Sequence, residues 1–198
     1  MTGENRKGGA KKSRRKELAF VVQKHKATSL HYDFRLEIGG VMPSWSIPKG
    51  PTLDSSVKRL AMPTTDHAME YRHFEGVIPG GEYGAGPVMI WDEGTYIAEK
   101  EVAKGVREDV PEARAGDELM QKGLKEGNLK FRLYGKKLQG SFALVRTRGF
   151  GGNNRETWLL IKHRDEFSKE GYNANDYAFS ATTGRSLAEI TNGSEDNE

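Results

Sequence analysis

Cysteine is absent from this chain of 198 residues, which excludes disulfides and thiolate metal sites. Such a composition suits a reducing cytosol, and any metal must be held by His, Asp, Glu or backbone oxygen. Long apolar runs are missing too, since no segment approaches the roughly eighteen residues of a transmembrane helix. No apolar segment follows the basic N-terminus, so the sequence does not begin like a secretory signal.

The two ends of the chain differ from its middle in composition. Residues 1–16 hold seven basic side chains and one acid, so they carry about +6 and the remaining residues about −3. We predict a disordered basic arm over 1–16, a folded domain over 17–186 and a disordered tail over 187–198. A basic arm suits phosphate backbones, the alternative being a solubilising tail without further role.

Between the ends, short segments that alternate apolar and polar residues predict β-strands separated by Gly and Pro. Gly39-Gly40 is typical of a hairpin turn, and one helix is expected over 112–125, after Pro111. Many short strands with one or two helices favour a mainly β fold, a compact β-barrel of about eight strands or a sandwich. The predicted strands cover residues 18–25, 30–37, 41–47, 58–63, 76–79, 86–94, 95–99, 128–135, 138–146 and 156–163.

The segment LHYDFRLE, residues 30–37, places its polar side chains on one face. His31 and Asp33 emerge from that face roughly 7 Å apart and can converge on one ion, with His25 at or near the end of the preceding strand. Two imidazoles and one carboxylate suit Mn²⁺, Fe²⁺ or Zn²⁺ rather than Ca²⁺. Arg35 continues the face and can grip a phosphate in bidentate fashion. The alternative is a solvated face, although an idle face more usually carries Lys, Thr, Ser and Glu.

A second group of candidate residues follows. His67 and Tyr71 are four residues apart, which one helical turn would place side by side. His31, Asp33 and the distant His67 also have the composition of the facial triad of iron oxygenases. The glycines of residues 80–86 predict turns or a bulge rather than a phosphate loop, because no helix follows them.

Four segments, residues 20–51, 66–96, 129–146 and 158–165, closely resemble the 3′-phosphoesterase domain of bacterial DNA ligase D, the ligase of non-homologous end joining. The resemblance implies a compact β-barrel with a Mn²⁺-dependent site, for which Co²⁺ and Zn²⁺ are alternatives. It also implies removal of a 3′-phosphate from nucleic-acid ends. Trimming of a 3′-terminal ribonucleoside is implied as well, but that activity draws on N-terminal residues that this arm does not clearly match.

By this resemblance, eight positions keep the residue types that the chemistry needs. The implied metal ligands are His25, His31 and Asp33. The implied catalytic and phosphate-binding groups are Arg35, His67 and Tyr71. Two further basic residues are implied in or near the phosphate pocket, Lys49 and Arg59.

The expected mechanism is direct hydrolysis, because no serine or threonine stands out as a nucleophile. A cationic His67 would protonate the departing 3′ oxygen. The expected partners are DNA or RNA 3′ ends and a separate ligase, polymerase or end-binding protein. We expect a stand-alone, monomeric module in the cytoplasm, associated with the nucleoid and not with a membrane. The competing functions are a non-catalytic nucleic-acid-binding barrel and a facial-triad oxygenase.

Overall fold

The structure is a computed structural model that describes residues 17–147 and 156–195. It is mainly β, with 49% of the residues in strands. In the described ranges the chain forms ten strands, two α-helices and two short 3-10 helices. In chain order these are β1 Leu18–Lys26, β2 Leu30–Leu36, β3 Met42–Ile47, β4 Lys58–His67, a 3-10 helix Met69–His73, β5 Gly76–Ile78, β6 Gly86–Ala103, β7 Val106–Val110, α1 Ala113–Glu126, β8 Asn128–Gly135, β9 Gln139–Thr147, β10 Thr157–Lys162, a 3-10 helix Ala174–Tyr177, and α2 Leu187–Glu195.

Eight of the strands close a ring in the order β1, β2, β3, β4, β10, β9, β8 and β6, and β6 pairs back to β1. Neighbouring strands are antiparallel, while β5 and β7 pair with β6 outside the ring. The strands are not evenly spaced round an axis, so the sheet is barrel-like rather than a regular barrel. The prediction of a mainly β barrel with about eight strands and one or two helices is confirmed.

Alternation along β2 decides which side chains enter the barrel. Phe34 is fully buried and stacks on Phe20 and Phe131, with ring centroids 6.3 and 5.9 Å away. Burying an aromatic ring of this size stabilises the fold by roughly 1.5–3 kcal/mol, so this face is fixed inward. Asp33 and Arg35, the neighbours of Phe34, therefore lie on the outer face of the sheet.

A small apolar cluster on this outer face holds the first 3-10 helix in place. Val21, Met42 and Ile90 are buried there, and Met69 of the helix packs against them. The helix that begins at Met69 is thereby fixed beside the polar residues of β1 and β2.

The helix predictions had different outcomes. The helix expected over 112–125 is confirmed as α1, which ends at Gly127 in a left-handed conformation. The disordered tail expected from residue 187 is wrong for most of its length, because α2 forms there and buries Ile190 against the core. Residues 1–16 and 196–198 lie outside the described residues. Neither α-helix in the described ranges combines the length and apolar content needed to cross a bilayer.

Candidate active site

Three potential metal-ligand atoms lie close together near the end of β1 and the start of β2, which a short turn connects. In the β1–β2 register His25 pairs with His31, and their rings lie 4.9 Å apart. His25 Nδ1 is 3.8 Å from Asp33 Oδ2, and His31 Nε2 is 3.5 Å from Asp33 Oδ1. One ligand atom from each residue lies within 4.8 Å of the others, so this group could hold a metal ion. The structure thus brings together the three residues predicted as ligands.

The second nitrogen of each imidazole is committed to a backbone carbonyl. His25 Nε2 is 2.7 Å from the oxygen of Gly84, and His31 Nδ1 is 3.0 Å from the oxygen of Ser29. Since a carbonyl only accepts, these two nitrogens donate, which leaves His25 Nδ1 and His31 Nε2 to bind an ion. Two imidazole nitrogens and a carboxylate fit a divalent transition-metal ion.

The charges around Asp33 keep its carboxylate ionised. Burial alone would raise the pKa of Asp33, but the adjacent imidazoles of His25 and His31 and the charge of Arg35 outweigh it and hold the pKa well below its usual range. Interaction with the Asp33 carboxylate raises the pKa of His31, with burial acting in the opposite direction. The carboxylate is therefore ready to act as a ligand at neutral pH.

Arg35 is held by three hydrogen bonds in the floor of the site. It donates from Nη2 to Asp33 Oδ2 at 3.0 Å, from Nε to Gln23 Oε1 at 2.8 Å and from Nη1 to His67 Nδ1 at 3.0 Å. Its side chain is only 3% exposed. A guanidinium carries five N–H donors, so these contacts leave two for a phosphate beside the metal group.

The contact with Arg35 fixes the proton of His67. Because a guanidinium only donates, His67 Nδ1 is the acceptor and the ring proton lies on Nε2. Burial, and then the charge of Arg35, lower the pKa of His67. His67 is therefore neutral, which does not support the expected cationic acid. In the described part of the chain the metal-holding group does not include His67, so the geometry required by the oxygenase alternative is not formed.

Tyr71 completes the cluster from the 3-10 helix that begins at Met69. Its ring lies 4.6 Å from that of His67 and 5.3 Å from that of Phe74, and the Arg35 guanidinium lies 5.1 Å from the ring centre. The predicted proximity of His67 and Tyr71 is confirmed, although His67 ends β4 and no α-helical turn joins them. Burial raises the pKa of Tyr71, so its hydroxyl stays protonated and can donate.

Gln23 is the residue of this site that the sequence interpretation missed. It is fully buried and accepts the hydrogen bond from Arg35 Nε. Its Nε2 donates to the carbonyls of Tyr71 and Phe74 at 3.1 and 2.9 Å, so one amide ties the guanidinium to the 3-10 helix. The available signal was its position two residues before His25, on the same face of β1.

Lys49 and Arg59 are not brought into this cluster. Lys49 is exposed in the turn after β3. Arg59 pairs with buried Leu160 across β4 and β10, and its Nε is buried without a hydrogen-bond partner. Within the described ranges no hydrogen bond or ion pair joins either residue to the other six. Their phosphate-binding role stays a prediction.

Comparison with known proteins gives a consistent result. The family described as "DNA Ligase D 3'-phosphoesterase domain" matches residues 23–146, more than half of the chain. The multifunctional non-homologous end joining protein LigD of Pseudomonas aeruginosa is 44% identical over 148 residues, which cover 75% of this chain and 15% of that protein. The LigD protein of Mycobacterium tuberculosis is 41% identical over 147 residues, 74% of this chain and 16% of that protein. The aligned part is thus about a sixth of the length of these relatives. The chain belongs to the DNA ligase D 3′-phosphoesterase domain family.

Proposed function

We propose that this protein is a metal-dependent phosphoesterase that removes 3′-phosphates from DNA or RNA ends and leaves a ligatable 3′-hydroxyl in DNA repair. The observation that carries the proposal is that Asp33 contacts both the candidate metal ligands and the candidate phosphate-binding arginine. Its carboxylate faces both candidate histidine ligands and accepts a hydrogen bond from the Arg35 guanidinium. A candidate metal position and a guanidinium that could bind phosphate are therefore adjacent, an arrangement suited to phosphate hydrolysis.

The proposed ion is Mn²⁺, with Co²⁺ and Zn²⁺ as alternatives, at His25, His31 and Asp33. When bound, a divalent ion supplies Lewis-acid stabilisation of charge on a phosphoryl oxygen. Arg35 would donate its two remaining N–H groups to phosphate oxygens, and this contact strengthens as negative charge builds in the transition state.

His67 and Tyr71 would contact the other phosphate oxygens. The neutral His67 ring offers an Nε2–H donor, and Tyr71 offers a protonated hydroxyl. A water would attack phosphorus as the bond to the 3′ oxygen breaks, and that oxygen would take up a proton. Ser44, the hydroxyl beside His67, donates to the Met42 carbonyl, which supports direct hydrolysis without a covalent enzyme intermediate. Trimming of 3′-terminal ribonucleosides is proposed as a second activity of the same site.

The test uses an end-labelled primer–template with a single 3′-phosphate, incubated in Mn²⁺ or in EDTA. We expect a 3′-hydroxyl product only with the metal. His31→Ala should lose roughly 10³-fold or more in rate, because several kcal/mol of metal stabilisation are removed. The matched control is His163→Ala, just after β10 and outside the cluster, which should retain the activity. If the phosphate survives with every metal tried while the protein binds the primer, the alternative of a non-catalytic binding barrel replaces this proposal.

The basic segment 1–16 is proposed to supply affinity for the nucleic-acid backbone, since the rest of the chain is net negative. Its deletion should raise KM for long oligonucleotides and flatten the dependence of KM on salt. An unchanged KM and salt slope would show that the segment takes no part in binding. A separate ligase, polymerase or end-binding protein is the proposed partner at the same ends.

A further inference from the structure

A fully exposed aromatic residue directly precedes the glycine that contacts one of the candidate metal ligands. Tyr83 has a relative exposure of 103%, in the loop of residues 79–85 that joins β5 to β6. The next residue, Gly84, supplies the carbonyl that lies 2.7 Å from His25 Nε2. Consecutive Cα atoms are about 3.8 Å apart, so Tyr83 lies within one residue of the group that orients a metal ligand.

The loop that carries Tyr83 is held in place at its base. β5 and β6 close it through the Ile78–Gly86 pair, and two turn hydrogen bonds cross it, from Glu82 N to Pro79 O at 3.3 Å and from Ala85 N to Glu82 O at 3.2 Å. Gly86 has φ of +134°, and a Cβ there would lie 2.1 Å from the backbone oxygen at the end of β1. The backbone at Gly86 therefore lies directly against the end of β1, and the loop that carries Tyr83 begins and ends on paired strands.

The other aromatic ring of the site cannot serve as an open stacking surface. Tyr71 already has His67 and Phe74 against it, and Arg35 lies over its ring. Tyr83, by contrast, has no ring contact with any described residue. A ring that packs against nothing contributes little to folding, whereas an exposed ring beside a nucleic-acid site offers a surface on which a base can stack.

We propose that Tyr83 stacks on the base of the 3′-terminal nucleotide and positions its 3′-phosphate toward Arg35 and the metal group. This inference rests on the proposed function and names the part of the substrate that the site recognises beyond the phosphate. Every base has a π-face, so the ring detects the presence of a terminal base and is tolerant of its identity.

The test measures the Kd of a labelled oligonucleotide with a 3′-phosphate by fluorescence anisotropy in EDTA. A second oligonucleotide carries the same phosphate on an abasic terminal residue. Tyr83→Ala should weaken binding of the normal end by about tenfold, which is about 1.4 kcal/mol, and leave binding of the abasic end unchanged. Tyr83→Phe should restore the wild-type Kd. The matched control is Tyr134→Ala, which removes an exposed tyrosine of β8 that pairs with Thr95 of β6.

Two results would overturn the inference. One is an equal Kd for wild type and Tyr83→Ala on the normal end. The other is an equal loss on both ends, since a ring that stacks on the base cannot affect an end without one. In Mn²⁺, the loss should fall on KM rather than kcat, because the ring touches the base and not the reacting phosphate. Failure of the proposed function would give a different result, because the wild-type protein would leave the 3′-phosphate intact. The anisotropy comparison would still decide the role of Tyr83 in that case.

Discussion

Among the buried charges of the described residues, two clusters differ in what they leave open to a ligand. In the first, Asp33 lies among His25, His31 and Arg35. In the second, Glu99 on β6 faces Arg107 at 3.3 Å and Arg132 at 3.4 Å. Nearby, Lys162 lies 2.6 Å from Asp165, and Ser141 joins the two pairs by donating its hydroxyl to Glu99 and its backbone N–H to Asp165.

In the second cluster each charge is matched by an opposite charge from the protein itself. Lys162 directs its amino group to Asp165 and to the carbonyls of Ser141 and His163, so its donors are satisfied internally. In the first cluster, two imidazole nitrogens and a carboxylate converge on one point, and a guanidinium keeps two donors. Burial of charge alone does not identify an active site, because structural ion pairs are buried too. The first cluster differs because its ligand atoms converge at a position that an ion could occupy.

Among the substitutions that compare the two clusters, Arg35→Lys, in the first cluster, should have the largest effect on catalysis. A lysine cannot bind Gln23, Asp33 and His67 together while it also offers a phosphate fork. We expect a loss of about 10²–10³ in kcat for 3′-phosphate removal, the loss typical of an oxyanion-stabilising donor. Steady-state kinetics checks this, and near-normal kcat would show that one point charge suffices and that the fork has no catalytic role.

Lys162→Met should act on stability and not on catalysis. It leaves the charge of Asp165 without its buried partner, which typically lowers the free energy of unfolding by about 3 kcal/mol. Urea unfolding measures the change, and kcat should remain close to that of the wild type. Lys130→Met is the control, because its pair with Glu101 is partly exposed and should cost less than about 1 kcal/mol. Lost activity in a folded Lys162→Met protein would contradict the division between the two clusters.

Gln23→Met should have the smallest effect. It should lower both the stability of the fold and the catalytic efficiency. The substitution keeps the volume but leaves Arg35 Nε and the carbonyls of Tyr71 and Phe74 without their partner. We expect a loss of about 1–3 kcal/mol in stability and about tenfold in kcat/KM, because the guanidinium is no longer fixed. Unfolding and kinetics on the same preparation test this. A stability loss with unchanged kcat/KM would make Gln23 purely structural.

The sequence predicted the parts of the site that depend on alternation within one strand. His31, Asp33 and Arg35 share a face because strands have a period of two, and the pairing with His25 follows from a hairpin. Gln23 and the Gly84 carbonyl were missed, since their roles arise from contacts between residues about 50 or 60 positions apart. No local pattern specifies such distances.

The same reasoning explains the errors in the fold. The two strands predicted over 86–94 and 95–99 form the single strand β6, because β1, β5, β7 and β8 pair with different parts of it and support its length. α2 was missed because its composition is polar, while Ile190 supplies a buried anchor. Tertiary packing determines both elements, and the intrinsic helix and strand propensities of the residues do not reveal it.

All three candidate metal ligands lie within the nine residues from His25 to Asp33, on one hairpin. Closing so short a loop costs little entropy, whereas joining β1 to β6 brings Leu18 to Tyr96 across a long stretch of chain. The ligands would therefore meet early in folding, before the barrel closes. A slip of one residue in the hairpin would turn β2 over and send Asp33 toward the core. An ion bound at that stage would stabilise the correct register of the hairpin before the remaining strands pair.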